Sequence, residues 1–404
     1  MIYLLTLVAI LCCAVYFDLG HVDNPRLKNI CYMSLLIWFT AVSGFAYNVG
    51  SDIPGYMRQY AEIASLHFES WDDLSYFENR QPGWMILNVL CTAVSSRFVV
   101  LQCVIAIFAN CVFFYFIKEH TKYIFIGVFL YAVCLYLNFN FNTLRQTISI
   151  AFFLVGYEYL LKKKWSQYYI YCFAAFMFHS TAAICFLFPL FYFVRIDIKW
   201  LFIYIFAIIL IALLAIRLLG EDLIKDMMID NADSFSSLGD NAEQLTKIYF
   251  GNDSTKYDEL NLFGLIAMLL YVSPIIMVCI ASVRQVISLP AVTTSMLAFY
   301  MFLYLLDFVI PVVFMRFLMY LDLVYFCAIS DFVIDFPKRT LLPRNVVTIC
   351  LLCLVLYRPV LTLFAENIST GIPFYKQFYP YYSVFDPQID PVRSANFGAY
   401  KEVE

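Results

Sequence analysis

Residues 142–194 read NTLRQTISIAFFLVGYEYLLKKKWSQYYIYCFAAFMFHSTAAICFLFPLFYFV, and this stretch decides the fold. The apolar run 146–161 directly follows Arg145 and stops at Lys162-Lys163-Lys164, and a second apolar run spans 167–194. A hydrocarbon layer of ~30 Å is crossed by about 20 helical residues. Residues 167–194 are too many for one crossing and carry His179-Ser180-Thr181 in their interior. They read as two half-length helices that meet near one membrane face. Broken backbone at membrane depth survives only inside protein or beside a water-filled cavity, so the break is the first pointer to a site.

The rest of the chain has the same character. Its 404 residues are 63% hydrophobic and 14% charged, with a mean hydropathy of +0.78. Soluble domains run about 45–50% apolar and about 25% charged, so an ordinary cytosolic enzyme, a nucleic-acid binder and a disordered protein are excluded. The net charge of −4 gives a polyanion no basic surface. Further runs long enough to span lie at 2–18, 30–48, 98–117, 123–141, 200–219, 262–282, 291–310, 315–334 and 345–357. The basic clusters, from Arg26/Lys28 through Lys162-Lys163-Lys164 to Lys338-Arg339, are placed in the cytoplasm. Loop 49–82 outside and Lys118 inside require an odd number of crossings, so the short run 83–95 is read as a partial, outward-facing helix.

The expectation is an all-α, polytopic integral membrane protein with about 11–13 transmembrane or re-entrant helices. One membrane domain covers 1–357, with external loops at 49–82 and 220–261, and 358–404 form an external tail. Loop 220–261 holds ten acidic residues against three lysines. The run 2–17 has no basic n-region and no cleavage site, so it reads as a retained span with the N-terminus outside. The 13 cysteines sit almost entirely in apolar runs and read as small hydrophobes. Cys350 and Cys353 have CxxC spacing but no second pair. No HExxH, GxSxG, Walker or GxGxxG pattern is present, and neither a metal nor a cofactor is expected.

Polar residues among the spans carry the functional signal, because a charge at mid-membrane costs about 2.5–3.5 kcal/mol on insertion scales. After the second span, Asp52, Tyr56 and Tyr60 recur every four residues and share one helical face. They read either as a helix cap followed by an aromatic belt, or as a carboxylate at the external mouth with two phenols for stacking on sugar. Glu78, Arg80 and Trp84 follow, the first two as a pair and the third as a sugar platform. Asn138, Asn140 and Asn142 alternate with aromatics just before Arg145-Gln146. An interfacial anchor explains an Arg alone. Three amides, a planar five-donor guanidinium and a helix N-terminus together suit a pyrophosphate. His179, at the break, is either a satisfied core histidine, a general base or a donor to substrate. Arg316 and Tyr320 share a helical face in a strongly apolar region with Asp307 and Asp322 nearby, and Arg316–Asp322 is not an i,i+3 or i,i+4 pair. Glu158 is explained by Lys162 four residues on, and Ser43-Gly44 by helix packing.

The run Asn142-Thr-Leu-Arg145-Gln146-Thr-Ile-Ser149-Ile-Ala151, the lysine turn, and Ala174-Ala-Phe-Met-Phe178-His179-Ser180-Thr181-Ala182 resemble the signature of the EpsG family, Wzy-like bacterial exopolysaccharide and O-antigen polymerases. An external Asp-x-x-x-Tyr, here Asp52 and Tyr56, and a late Arg-x-x-x-Tyr, here Arg316 and Tyr320, also match. The sequence-specific part of the likeness is confined to about 140–190; Ser149 stands where the family usually has Ala, and Thr181 where it has Ser.

The resemblance implies a glycosyltransferase of the inner membrane, GT-C-like in architecture, with its site facing the periplasm or exterior. It would transfer a growing glycan from polyprenyl pyrophosphate to a hydroxyl of an incoming undecaprenyl-pyrophosphate-linked oligosaccharide. Membrane lipid and a chain-length regulator protein would be its partners, without nucleic acid, nucleotide sugar or metal. On this reading Asp52 or His179 is the base. Arg145 and Arg316 grip the pyrophosphate with Arg80 in reserve, Gln146, Asn142, Glu78 and Tyr320 line the site, and Tyr56, Tyr60 and Trp84 meet sugar. A flippase or transporter of lipid-linked oligosaccharide and an O-antigen ligase are the alternative readings.

Overall fold

Every described element but a few isolated bridges is helical. The computed structural model describes residues 2–65, 81–194, 262–309, 313–366 and 371–397. The proposed span 200–219, the acidic loop 220–261, Glu78 and Arg80 lie outside the described residues.

Helix α1 (Ile2–Cys13) is extended by a π-helical segment, Ala14–Leu19. Helix α2 (Pro25–Gly44) starts where Asn24 Oδ1 accepts the Leu27 N–H and Pro25 occupies the first turn. α3 (Ile53–Ser65) and α4 (Pro82–Thr92) are short, and α5 (Val99–His120) is a full crossing. Then come α6 (Ile124–Cys134), α7 (Tyr136–Phe141), α8 (Leu144–Leu161) and α9 (Trp165–Phe178), followed by a 3-10 helix, Ser180–Tyr192. The last part holds α10 (Leu262–Val283), α11 (Ala291–Val309), α12 (Val313–Asp335), α13 (Arg344–Phe364) and the short α14 (Pro391–Phe397). Among the described residues, four stretches are by themselves long and apolar enough to cross a membrane: Ile2–Leu19, Val99–His120, Phe314–Arg339 and Arg344–Phe364. The chain is an all-α polytopic membrane protein.

The two ends of the bundle differ in charge. At one end Lys118 meets Asn29, Lys162 pairs with Glu158 at 3.4 Å, and Lys122 and Lys338 both pair with Asp335. Arg339 donates to the Gln285 carbonyl at this end too. The opposite end gathers the α2–α3 loop, the starts of α8 and α12, and residues 371–393 of the tail. There the Tyr3 hydroxyl donates to the Phe378 carbonyl, Tyr47 N to Tyr382 O, and Gly50 N to Gln377 O.

Several expected boundaries shift for physical reasons. The run 123–141 is two helices, parted at Leu135. Asn140, in the second of them, donates to Tyr131 OH and accepts from Asn110 Nδ2, both at 3.0 Å. This buried network needs α7 aimed differently from α6, and no residue at the break itself announces it. The last span does not stop at 357: α13 runs on through Arg358 and Pro359 to Phe364. Residues 167–194 form the expected pair of half-helices. The 3-10 arm returns to the lysine end, where Tyr192 OH donates to the Leu160 carbonyl at 2.8 Å. α4, with 11 residues, is too short to cross, and its two flanks bond α8 and α3. Gln81, before it, bonds Arg145, and the Ser95 carbonyl, after it, accepts from Tyr60 OH. Among the described residues between Asp52 and Lys118, α5 is the one helix long enough to cross. Its entry is fixed by Gln102 Nε2 donating to the Ser43 carbonyl at 2.7 Å and by the close approach of Gly44 to Cys103 and Ala106.

Candidate functional site

The break between α7 and α8 leaves Asn142 and Thr143 outside regular helix and Arg145 in the first turn of α8. Loop 45–52 is pressed against this break. Gly50 has φ +108°, and a Cβ there would lie 1.9 Å from the Phe141 carbonyl oxygen, so only glycine fits. The approach lets Ser51 N donate to Asn142 Oδ1 at 2.9 Å, while Asn142 Nδ2 donates to Gln377 Oε1 of the tail at 3.1 Å. Asn142 thus ties three distant segments together at the mouth.

Asp52 follows. Its carbonyl accepts the Tyr56 N–H and starts α3, but its carboxylate takes the Ser51 hydroxyl at 3.0 Å and faces open space. The side chain is exposed to a cavity yet surrounded by protein. Burial raises its carboxyl above the ordinary carboxylate range, against the Ser51 hydrogen bond and the charges of Arg316 and Arg145.

Arg145 Nη1 donates to Gln81 Oε1 at 3.0 Å, and its guanidinium lies 5.8 Å from the centre of the Tyr56 ring. Its Nε is buried and has no acceptor among the described residues. Arg316, from the first turns of α12, is held by Gln146: Nη1 donates to Gln146 Oε1 at 3.3 Å, and Gln146 Nε2 donates to the Arg316 carbonyl at 2.6 Å. Arg145 and Gln146 are neighbours on α8, so the residue that holds Arg316 adjoins Arg145 in the chain. Both arginine charges act on Asp52, on Tyr56 and on His179.

His179 is the joint between α9 and the 3-10 arm, in extended backbone (φ −154°, ψ 127°). Its Nδ1 accepts the Thr181 N–H at 3.3 Å and lies 2.7 Å from Thr181 Oγ1. Thr181 Oγ1 is 3.3 Å from Tyr320 OH, which is 2.8 Å from Ser149 Oγ, which in turn donates to the Ala175 carbonyl. An Nδ1 that accepts an amide proton carries none of its own, so the neutral ring bears its proton on Nε2. Nε2 has no partner among the described residues and is a donor awaiting an acceptor.

A cavity of about 560 Å³ opens beside these groups, lined by Asp52, Asn138, Asn142, Thr143, Arg316 and Gln377 on one side and by Tyr300, Tyr304, Asp307, Asp322 and Arg358 on the other. Asp52 and Arg316 line the cavity, while Arg145 and His179 are not among its lining residues. A carboxylate and a guanidinium on one cavity wall can take a proton from a hydroxyl and hold a phosphate.

Not every aromatic candidate reaches it. Tyr60 is fully buried with its hydroxyl on the Ser95 carbonyl. Trp84 is fully buried, donates to Gln59 Oε1 at 3.1 Å and packs on Tyr56 at 5.2 Å. With Tyr56 they form a second core among α3, α4, α5 and α8 that supports Arg145, and they leave no ring face for a sugar. Tyr320 is likewise buried and serves the His179 chain. Glu78 and Arg80, outside the described residues, are not placed. Reading the sequence missed Gln81, Gln377 and Arg358. The first two had no signal beyond being amides near a polar cluster. Arg358 had one, an arginine at the edge of an apolar run, masked by the Pro359 that follows.

A family model described as the EpsG family matches residues 29–383, a span that holds every site residue named above. No curated protein and no solved structure matches the chain. Membership of that family supports a polysaccharide-polymerase-like role in general.

Proposed function

The chain belongs to the EpsG family, and on that footing we propose that it polymerises lipid-linked oligosaccharide repeat units. The growing glycan is transferred from polyprenyl pyrophosphate to a hydroxyl of an incoming lipid-linked unit. The observation that carries this reading is that Asp52 and Arg316 line one cavity, with Arg316 held by Gln146, the residue next to Arg145 on α8. A guanidinium beside a carboxylate suits a reaction whose leaving group is a diphosphate and whose nucleophile is a hydroxyl.

In the step, the acceptor oxygen forms a bond to the anomeric carbon of the donor sugar while the bond from that carbon to the pyrophosphate oxygen breaks. Asp52 takes the hydroxyl proton. Arg316, with Arg145 behind it, neutralises the charge that grows on the departing polyprenyl pyrophosphate. His179 donates from Nε2 to a phosphoryl or sugar oxygen and is not the base, because its Nδ1 is committed to Thr181. The positive-inside rule puts the lysine end in the cytoplasm, which turns the site towards the periplasm or exterior of an inner membrane.

Purified protein incubated with lipid-linked repeat units alone, without nucleotide or metal, is expected to yield a ladder of products spaced by one unit. Recovery of only the input units by active-site-intact, folded protein defeats the reading.

A further inference from the structure

The far side of the cavity has no part in the reaction as just described, yet it is built from charged groups. Arg358 Nη2 donates to Asp307 Oδ2 at 2.9 Å, and the same guanidinium lies 4.5 Å from the centre of the Tyr304 ring. Tyr300 OH donates to Asp322 Oδ1 at 2.8 Å. These groups stand on α11, α12 and α13, between apolar neighbours, where each charge is costly to keep. Asp307 is buried, but its partner Arg358 is about a third exposed. The pair borders a cavity of about 560 Å³, and a buried pair is in any case a weak source of stability.

The charges also have a direction. Arg358 is answered by Asp307, so Asp322 is a second carboxyl group on this arm, hydrogen-bonded by Tyr300, while Arg316 makes the opposite arm cationic. A diphosphate is drawn to Arg316 rather than to Asp322. Sugar hydroxyls and amines find the reverse: carboxylate acceptors in Asp322 and Asp307, guanidinium donors in Arg358, and a tyrosine ring to lie against the apolar face of a pyranose.

We propose that the Asp307–Arg358–Tyr304 and Asp322–Tyr300 groups form a sugar subsite, which holds an uncharged or amino sugar of the lipid-linked unit while Arg316 holds its pyrophosphate. The proposal deepens the polymerase reading and rests on it for the identity of the ligand. The polarity of the cavity sets the orientation of the unit, sugar towards α13 and phosphate towards α8.

The test is equilibrium dialysis on the full-length chain in nanodiscs with two probes. One is inorganic pyrophosphate. The other is the free oligosaccharide released by mild acid from lipid-linked units of cells lacking this protein. Wild type is expected to take up both at once. Asp322→Asn is expected to lose about tenfold or more in affinity for the oligosaccharide, as for a lost hydrogen bond to a charged group, with pyrophosphate uptake retained. Arg316→Ala is expected to do the reverse. Tyr304→Leu, which keeps an apolar side chain, repeats the oligosaccharide loss should Asp322→Asn fail to insert. Wild type that takes up no oligosaccharide, or an Asp322→Asn protein that takes it up normally or loses both probes together, overturns the subsite. Oligosaccharide uptake dependent on Asp322 stands even where no product ladder forms, so failure of the subsite and failure of the polymerase reading are told apart.

Discussion

Gln146 and Arg316 grip each other twice, 170 residues apart: the amide nitrogen donates to the arginine's carbonyl at 2.6 Å and the amide oxygen accepts from its Nη1 at 3.3 Å. The first bond fixes the backbone of α12 against α8 and the second aims the guanidinium. Gln146→Leu removes both and is expected to lower polymerisation about tenfold to a hundredfold, the effect of one or two hydrogen bonds to a charged group. Gln146→Glu keeps the shape but neutralises Arg316, and is expected to be equally poor. Gel analysis of glycan length in cells producing each variant checks both.

Arg145→Ala and Arg316→Ala are expected to leave an inserted protein that accumulates single lipid-linked units and makes no long glycan. The lysine variants discriminate further. Lys keeps the charge but not the planar fork. Lys cannot hold Gln81 and turn a second nitrogen to a phosphate at once, so Arg145→Lys is expected to restore little. Normal chain length in both alanine variants would remove the diphosphate clamp from the reaction.

Asp52 sets the acid side of the pH profile. Burial raises its carboxyl above the ordinary carboxylate range, whose aspartate reference is about 3.9. A base works only when deprotonated, so turnover is expected to fall as pH drops through a value higher than that reference, and to be retained above it. Asp52→Asn cannot accept the proton at any pH. It is expected to abolish the ladder while pyrophosphate still binds. An active Asp52→Asn protein would move the base elsewhere.

How much of this was legible beforehand follows from which signals are local. The break at His179 was legible because a polar triplet interrupts a run too long for one span. So was the shortness of α4, because the run 83–95 has too few residues for a crossing. The break at Leu135 was not, since its cause is Asn110, Asn140 and Tyr131 bonding across helices. The site shows the same division. Arg145, Arg316 and His179 announce themselves as costly groups in or beside apolar runs, and Asp52 by its four-residue spacing to Tyr56 and Tyr60. Gln81 and Gln377 matter only because the chain brings them back, 64 and 235 residues away, to Arg145 and Asn142. Tyr60 looked like a sugar platform because periodicity shows which residues share a face, not which face is covered, and Trp84 because an indole near a polar cluster does not say whether it is buried.

The His179 chain predicts an order of sensitivity. Thr181→Val removes the hydroxyl 2.7 Å from Nδ1 but keeps the capping N–H, and is expected to cost about tenfold. Ser149→Ala is expected to cost much less, because Tyr320 OH, freed from Ser149, can turn to Thr181. Tyr320→Phe is expected to fall between them. Activity assays at fixed expression level rank the three, and a Ser149→Ala defect as large as that of Thr181→Val would break the chain as drawn.

Gly50 is where fold and site depend on one atom. Alanine there would need φ near +108° with its Cβ 1.9 Å from the Phe141 carbonyl oxygen, a backbone atom that cannot step aside. The loop must lift away, and with it go the bonds of Gly50 N to Gln377 and of Ser51 N to Asn142. The expected cost exceeds ~1 kcal/mol, as for other substitutions at positions closed to the new residue. It should appear as a lower unfolding temperature in detergent together with loss of the ladder, since Asp52 rides on the same loop. Gly55, also beside the site, has nothing within 4 Å of an added Cβ. Gly55→Ala is expected to leave both measurements near wild type. A Gly50→Ala protein as stable and active as Gly55→Ala would mean that the α2–α3 loop does not pack on the α7–α8 break.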